Sequence, residues 1–73
     1  MYILLNESKY QITSLGKNKF FYYLTISNES NPDDFFEYNI DVSEIDSTKP
    51  ELEQLYNWIL TQPEFAGGTL IVE

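Results

Sequence analysis

The chain has no cysteine, no histidine and no arginine. Without cysteine there is no disulfide and no thiolate metal site. Without histidine the commonest metal ligand and general base is gone. Without arginine there is no planar, bidentate clamp for phosphate or carboxylate. Positive charge of any kind is scarce: four lysines stand against twelve acids, for a net charge of −8. A chain this acidic does not bind DNA, RNA or anionic membranes by counterion release. No cationic start leads into a long apolar run, so neither a signal peptide nor a membrane span is expected, and the cytoplasm is the expected location. Asn6-Glu7-Ser8 and Asn28-Glu29-Ser30 match the N-glycosylation pattern and, with no signal peptide, are read as chance matches.

What the sequence does have is aromatic mass: six tyrosines, five phenylalanines and Trp58 in 73 residues. Chains this short form one domain, here 1–73, with a core worth about 3–5 kcal/mol net. Many need a staple or a partner subunit. The large aromatic areas substitute for a staple, and a homodimer would be another way to add core.

The hydrophobic pattern predicts order β-β-β-β-α-β. Tyr2 to Asn6 is a short apolar run. Lys9 to Leu15 alternates with strand period, Gly16-Lys17-Asn18 is a turn, and Lys19 to Ser27 is a long strand of β-branched and aromatic residues. Asn28 to Asp34 (NESNPDD) reads as a loop. Phe36 to Val42 alternates again, a strand with one wet face carrying Glu37, Asn39 and Asp41. Thr48 with Glu51 makes a capping box, and Pro50 suits a first helical turn. Leu52, Leu55, Tyr56, Ile59 and Leu60 then form one helical stripe, which Pro63 ends near Thr61 or Gln62. Gly67-Gly68 turns into a last strand at Thr69 to Val72. The expected fold is α+β: a small antiparallel sheet of four or five strands with one helix packed on one face.

Charge is concentrated. Residues 29–53 hold nine of the twelve acids against Lys49 alone, a segment charge of −8. Glu51 and Glu53 complement the helix dipole, which leaves seven acids without a local reason. If Phe20, Tyr22, Leu24 and Ile26 face the helix, Phe21, Tyr23 and Thr25 face away, beside Glu37, Asn39, Asp41 and, on the preceding arm, Gln11 and Thr13. That face joins large aromatics to carboxylates, as a nucleic acid joins bases to phosphates. The expected partner-binding residues are Phe21, Tyr23, Asp33, Asp34, Glu37, Asp41, Glu44 and Asp46. The competing reading is a solvated face of cross-strand pairs.

Other chemistry finds no pattern. The acids of Glu29 to Asp34 with Glu37, or Asp41, Ser43 and Asp46, match no calcium loop, and no central glycine is present. No spacing selects a pair of carboxylates for acid–base work. No catalytic residue, metal or cofactor is therefore expected. Trp58 lies off the helical stripe, either an interface anchor or a cover for the core's rim. Lys9, Lys17 and Lys19 are read as solubilising residues and edge guards.

In size, acidity and α+β build the chain resembles the small acidic proteins that phages use against host nucleic-acid machinery. No motif ties it to a named family, so no residue role carries over. The resemblance implies an inhibitor or adaptor on a basic surface of a nucleic-acid-binding protein, acting in the host cytoplasm. The usage of Asn, Ile, Lys and Tyr fits a low-GC bacterium or its phage. An immunity-like partner of a basic toxin would use the same physics. The alternative is a homo-oligomeric structural subunit whose outward Phe21, Tyr23 and Trp58 are covered by another copy.

Overall fold

The computed structural model describes residues 1–73. Five antiparallel strands, β1 (Tyr2–Leu5), β2 (Ser8–Lys17), β3 (Phe21–Asn28), β4 (Asn31–Asp41) and β5 (Thr69–Ile71), form one sheet in the order β4-β3-β2-β1-β5. A single helix, α1 (Glu51–Ile59), joins β4 to β5. The α+β expectation is met, with five strands and one helix.

The core lies between α1 and one sheet face. Ile3, Tyr10, Tyr22, Leu24, Ile26 and Ile40 from the sheet meet Leu55, Tyr56 and Ile59 from the helix and Phe65 from the turn after it. Phe65 is fully buried. It makes edge contacts with Tyr10 at 5.1 Å and Phe36 at 5.3 Å between ring centres. The Tyr56 hydroxyl bridges helix to sheet: it accepts the Ile12 N–H at 2.8 Å and donates to the Met1 carbonyl at 3.3 Å. It thus satisfies a strand donor just beyond the end of the β1–β2 ladder.

Several local expectations are corrected. The residues Asn28 to Asp34 are not a loop. The chain reverses at Glu29-Ser30 and β4 begins at Asn31. Pairing steps from Asn28↔Asn31 to Ser27↔Phe35, so Pro32, Asp33 and Asp34 bulge out of the ladder. The polar side chains serve this turn: Asn28 accepts the Ser30 N–H at 2.9 Å. Gly16 is not in a turn but in β2, opposite Tyr23. A Cβ there would stand 2.1 Å from Cε2 of Tyr23, so the missing side chain is what lets that ring lie across the strand. The turn falls later, where the Asn18 carboxamide accepts the N–H groups of Phe20 and Phe21, both at 2.8 Å. Phe20 precedes β3 and is exposed rather than core.

The Thr48–Glu51 capping box does not form. Pro50 is the residue before the helix, and no side chain caps it. The Thr48 hydroxyl is held instead by Asp46 at 2.6 Å, and Gln54 locks the connector by bonding the Asp46 N–H and carbonyl, each at 2.7 Å. Leu52 of the expected stripe lies in the first turn of α1 but is exposed, and the buried stripe begins at Leu55. A bulge at Thr13 in β2, unforeseen from alternation, moves the pairing from Ile12↔Ile26 to Ser14↔Thr25 and brings Leu15 opposite Leu24.

Candidate partner-binding face

The side of the sheet opposite α1 is open. Register fixes its rows: Phe35 beside Ser27 and Gln11, Glu37 beside Thr25 and Ser14, Asn39 beside Tyr23 and Gly16, and Asp41 beside Phe21. Each β4 residue named lies on the face opposite its buried neighbour Ile40, as strand alternation requires. Phe21, Tyr23 and Phe35 are 42%, 49% and 49% exposed, and Leu4 on β1 is 39% exposed. Tyr23 presents an outer ring surface because its inner surface rests on Gly16. Ser14, Tyr23, Thr25, Glu37 and Asn39, with Leu24 and Tyr38, line a shallow depression of about 170 Å³. Glu37 is the one carboxylate in it. By strand rise, Glu37 and Asp41 stand roughly 13 Å apart. The β1–β2 corner differs in charge: Lys9 sits over the Tyr2 ring, 4.9 Å from its centre.

Of the residues expected to bind a partner, Phe21, Tyr23, Glu37 and Asp41 come together on this face. Asp33 is exposed in the β4 bulge at the sheet's edge. Asp34, Glu44 and Asp46 lie elsewhere, each occupied. Tyr10, a core residue, donates its hydroxyl to Asp34 at 2.5 Å, and Asn28 adds a bond at 3.3 Å. The Trp58 indole N–H donates to Glu44. Asp46 accepts from both the Thr48 N–H and hydroxyl. Trp58 itself packs edge-on against Tyr38 at 5.6 Å, so it covers the rim of the core.

The acidic segment is therefore two populations. Asp34, Asp41, Glu44, Asp46 and Glu51 accept hydrogen bonds, the last from the Tyr22 hydroxyl at 2.8 Å. Glu29, Asp33 and Glu37 are exposed to solvent, and Glu53 lies half-buried in the first turn of α1. The Ser43 N–H, then its hydroxyl, holds the Asp41 carboxyl below the usual range, and the Thr48 hydroxyl and N–H do the same for Asp46. The bond to Asp34 raises the Tyr10 hydroxyl's pKa. Burial raises that of Tyr56. Burial, then the negative charge of Glu64, pushes Tyr38 up to about 12. The Tyr38 hydroxyl is buried with no partner in bonding geometry. No three acids converge in a way that could hold a metal ion.

Sequence reasoning misses Phe35 as a site residue. It shares parity with Glu37, Asn39 and Asp41, and that signal finds it once the strand is started one residue earlier. No helix is long and apolar enough to cross a membrane. Comparisons with family models, curated proteins and solved structures found no match.

Proposed function

We propose that the chain is a non-enzymatic binding protein that lays its open sheet face on a basic surface of a nucleic-acid-binding protein and denies that surface to nucleic acid. The observation that carries this reading is the exposure of Phe21, Tyr23 and Phe35 on one face with Glu37 and Asp41, in a chain of net charge −8. Carboxylates beside aromatic rings match a groove that takes phosphates beside bases. Opposite charge speeds encounter, and desolvated aromatic contacts slow release. Binding fits better than catalysis, because the depression holds Glu37 without a second carboxylate to share acid–base work. The setting that suits such a protein is the cytoplasm, in the manner of phage anti-defence or host-takeover inhibitors.

A second copy on the same face is the weaker reading. A two-fold contact between copies brings the same acidic patch from each side, and like charges in contact oppose association.

The test is capture of basic nucleic-acid-binding proteins from a low-GC bacterial lysate, at low and high salt, by the native chain and by variants. Glu37→Lys and Asp33→Lys remove solvent-facing acids. Asp41→Asn removes charge while keeping an oxygen for the Ser43 N–H. Phe21→Ala and Tyr23→Ala remove the anchors. The expected result is salt-released capture that the variants weaken. Capture unchanged by all of them, and insensitive to salt, would sink the reading.

A further inference from the structure

β4 is an edge strand, and its two halves differ. Its first part is guarded by Pro32 and by the bulge at Pro32, Asp33 and Asp34. From Phe35 to Asp41 there is no proline, no lysine and no bulge, so of the usual edge guards only the charges of Glu37 and Asp41 remain. The direction of the free backbone groups follows from the ladder. The Val42 N–H bonds the Phe20 carbonyl at 3.0 Å. Antiparallel pairs alternate, so Phe36, Tyr38 and Ile40 turn their backbone groups to β3, and Phe35, Glu37, Asn39 and Asp41 turn theirs outward. The same four residues carry their side chains on the open face. The residues between them, Phe36 and Tyr38, lie half-buried on the helix face beside Trp58.

We infer that the outer edge of β4 from Phe35 to Asp41 is a strand-addition site for an extended segment of a partner in which basic residues alternate with apolar ones. The inference rests on the reading of the partner as basic. An added strand bonds the outward N–H and C=O groups of Phe35, Glu37, Asn39 and Asp41. Its residues directly opposite share their face, so lysine or arginine meets Glu37 and Asp41 across the ladder. Its alternate residues fall on the helix face and extend the apolar surface of Phe36, Tyr38 and Trp58. The two carboxylates thus select the strand, welcoming a basic one and repelling an acidic one. Another copy of the chain suits the edge less well: pairing centred on Glu37 or on Asn39 sets carboxylate against carboxylate, and pairing centred on Tyr38 sets Glu37 against Asn39 and Asp41 against Phe35, with no cation for either acid.

The test uses a short capped peptide alternating lysine and valine, with the native full chain. In the bound register its lysine N–H groups face β4 and its valine N–H groups face away. Binding should slow amide exchange at Glu37, Asn39 and Asp41. N-methylation at the lysines should weaken binding about tenfold or more, and N-methylation at the valines should change it by less than about twofold. Asn39→Pro, which removes an N–H that the fold does not use, should abolish binding with the circular dichroism spectrum unchanged. Binding that survives N-methylation at every lysine but is lost with Glu37→Lys would overturn strand addition and leave the open-face reading standing. No binding of the peptide at low salt would overturn it too. So would a dimeric native chain that Asn39→Pro makes monomeric, because a second copy would then occupy the edge. Failure of the open-face reading is separate, and shows as lysate capture indifferent to Glu37→Lys, Phe21→Ala and Tyr23→Ala.

Discussion

The two faces of the sheet are built from similar residues and do opposite things. On the helix face Tyr10, Tyr22, Ile26, Ile40 and Phe65 are buried, and the hydroxyls of Tyr10, Tyr22 and Tyr56 all find acceptors. On the open face Phe21, Tyr23 and Phe35 keep about half their surface. Strand parity alone separates the two sets: Tyr22 and Tyr23 are neighbours in sequence, one core and one exposed. Aromatic content therefore reports neither core nor interface until the strand's phase is known. The acids divide less cleanly, since Asp41 on the open face also accepts a bond, from the Ser43 N–H. Those near the helix face and the connector accept hydrogen bonds from Tyr10, Tyr22, Thr48 and Trp58, and Glu37 on the open face has no such role.

That contrast can be broken by substitution. The largest effect is expected for Phe65→Ala, which empties the centre of the aromatic cluster: denaturant unfolding should show a loss of about 3–5 kcal/mol, enough to unfold a domain this small. Phe35→Ala on the open face should cost under about 1 kcal/mol in the same experiment. Next comes Tyr56→Phe. It strands the Ile12 N–H that the hydroxyl now accepts, for a loss of about 1–3 kcal/mol. Tyr38→Phe sharpens the comparison from the other side. Its hydroxyl is buried without a partner, so removal should leave stability unchanged or raise it by about 1 kcal/mol.

The smallest effects are those of pH. Raised pKa values at Tyr38, Tyr10 and Tyr56 mean that their neutral forms support the fold. Their contribution is full below pH 10 and is lost as pH rises through the folded values, about 12 for Tyr38. Ultraviolet titration should show these phenols ionising late, together with alkaline unfolding. Asp41 and Asp46 have the reverse sign. Their lowered folded values mean that the support they give is present above the ordinary 3.8 and fades as pH falls through the folded values. Both are exposed, so only the connector between β4 and α1 should loosen, measured as faster amide exchange at Ser43 and Thr48.

Much of the fold and part of the face are legible in the amino-acid sequence. Alternation in Phe36 to Val42 and in the strand holding Tyr22 to Ile26 sets the correct faces for Phe21, Tyr23, Glu37 and Asp41. The spacing of Leu55, Tyr56 and Ile59 places the helix. What is not legible depends on partners distant in sequence. Asp34 reads as free because its donor, Tyr10, is 24 residues away. Glu44 reads as free because a helical wheel gives Trp58 a position but no partner. Gly16 reads as a turn because nothing in the sequence shows that Tyr23 lies across it. The bulges at Thr13 and at Pro32, Asp33 and Asp34 leave no periodic signal, so alternation alone misses the register shift in β2 and starts β4 at Phe36 rather than Asn31.

The central claim is that the open face is kept for a partner and not for the fold. The most direct measurement pairs stability with capture for one variant, Phe21→Ala/Glu37→Lys, against the native chain. The account predicts an unfolding free energy within about 1 kcal/mol of native, together with loss of salt-sensitive capture of a basic nucleic-acid-binding protein. A variant that unfolds while its remaining folded fraction still captures the partner would contradict the account, because the face would then serve the fold alone.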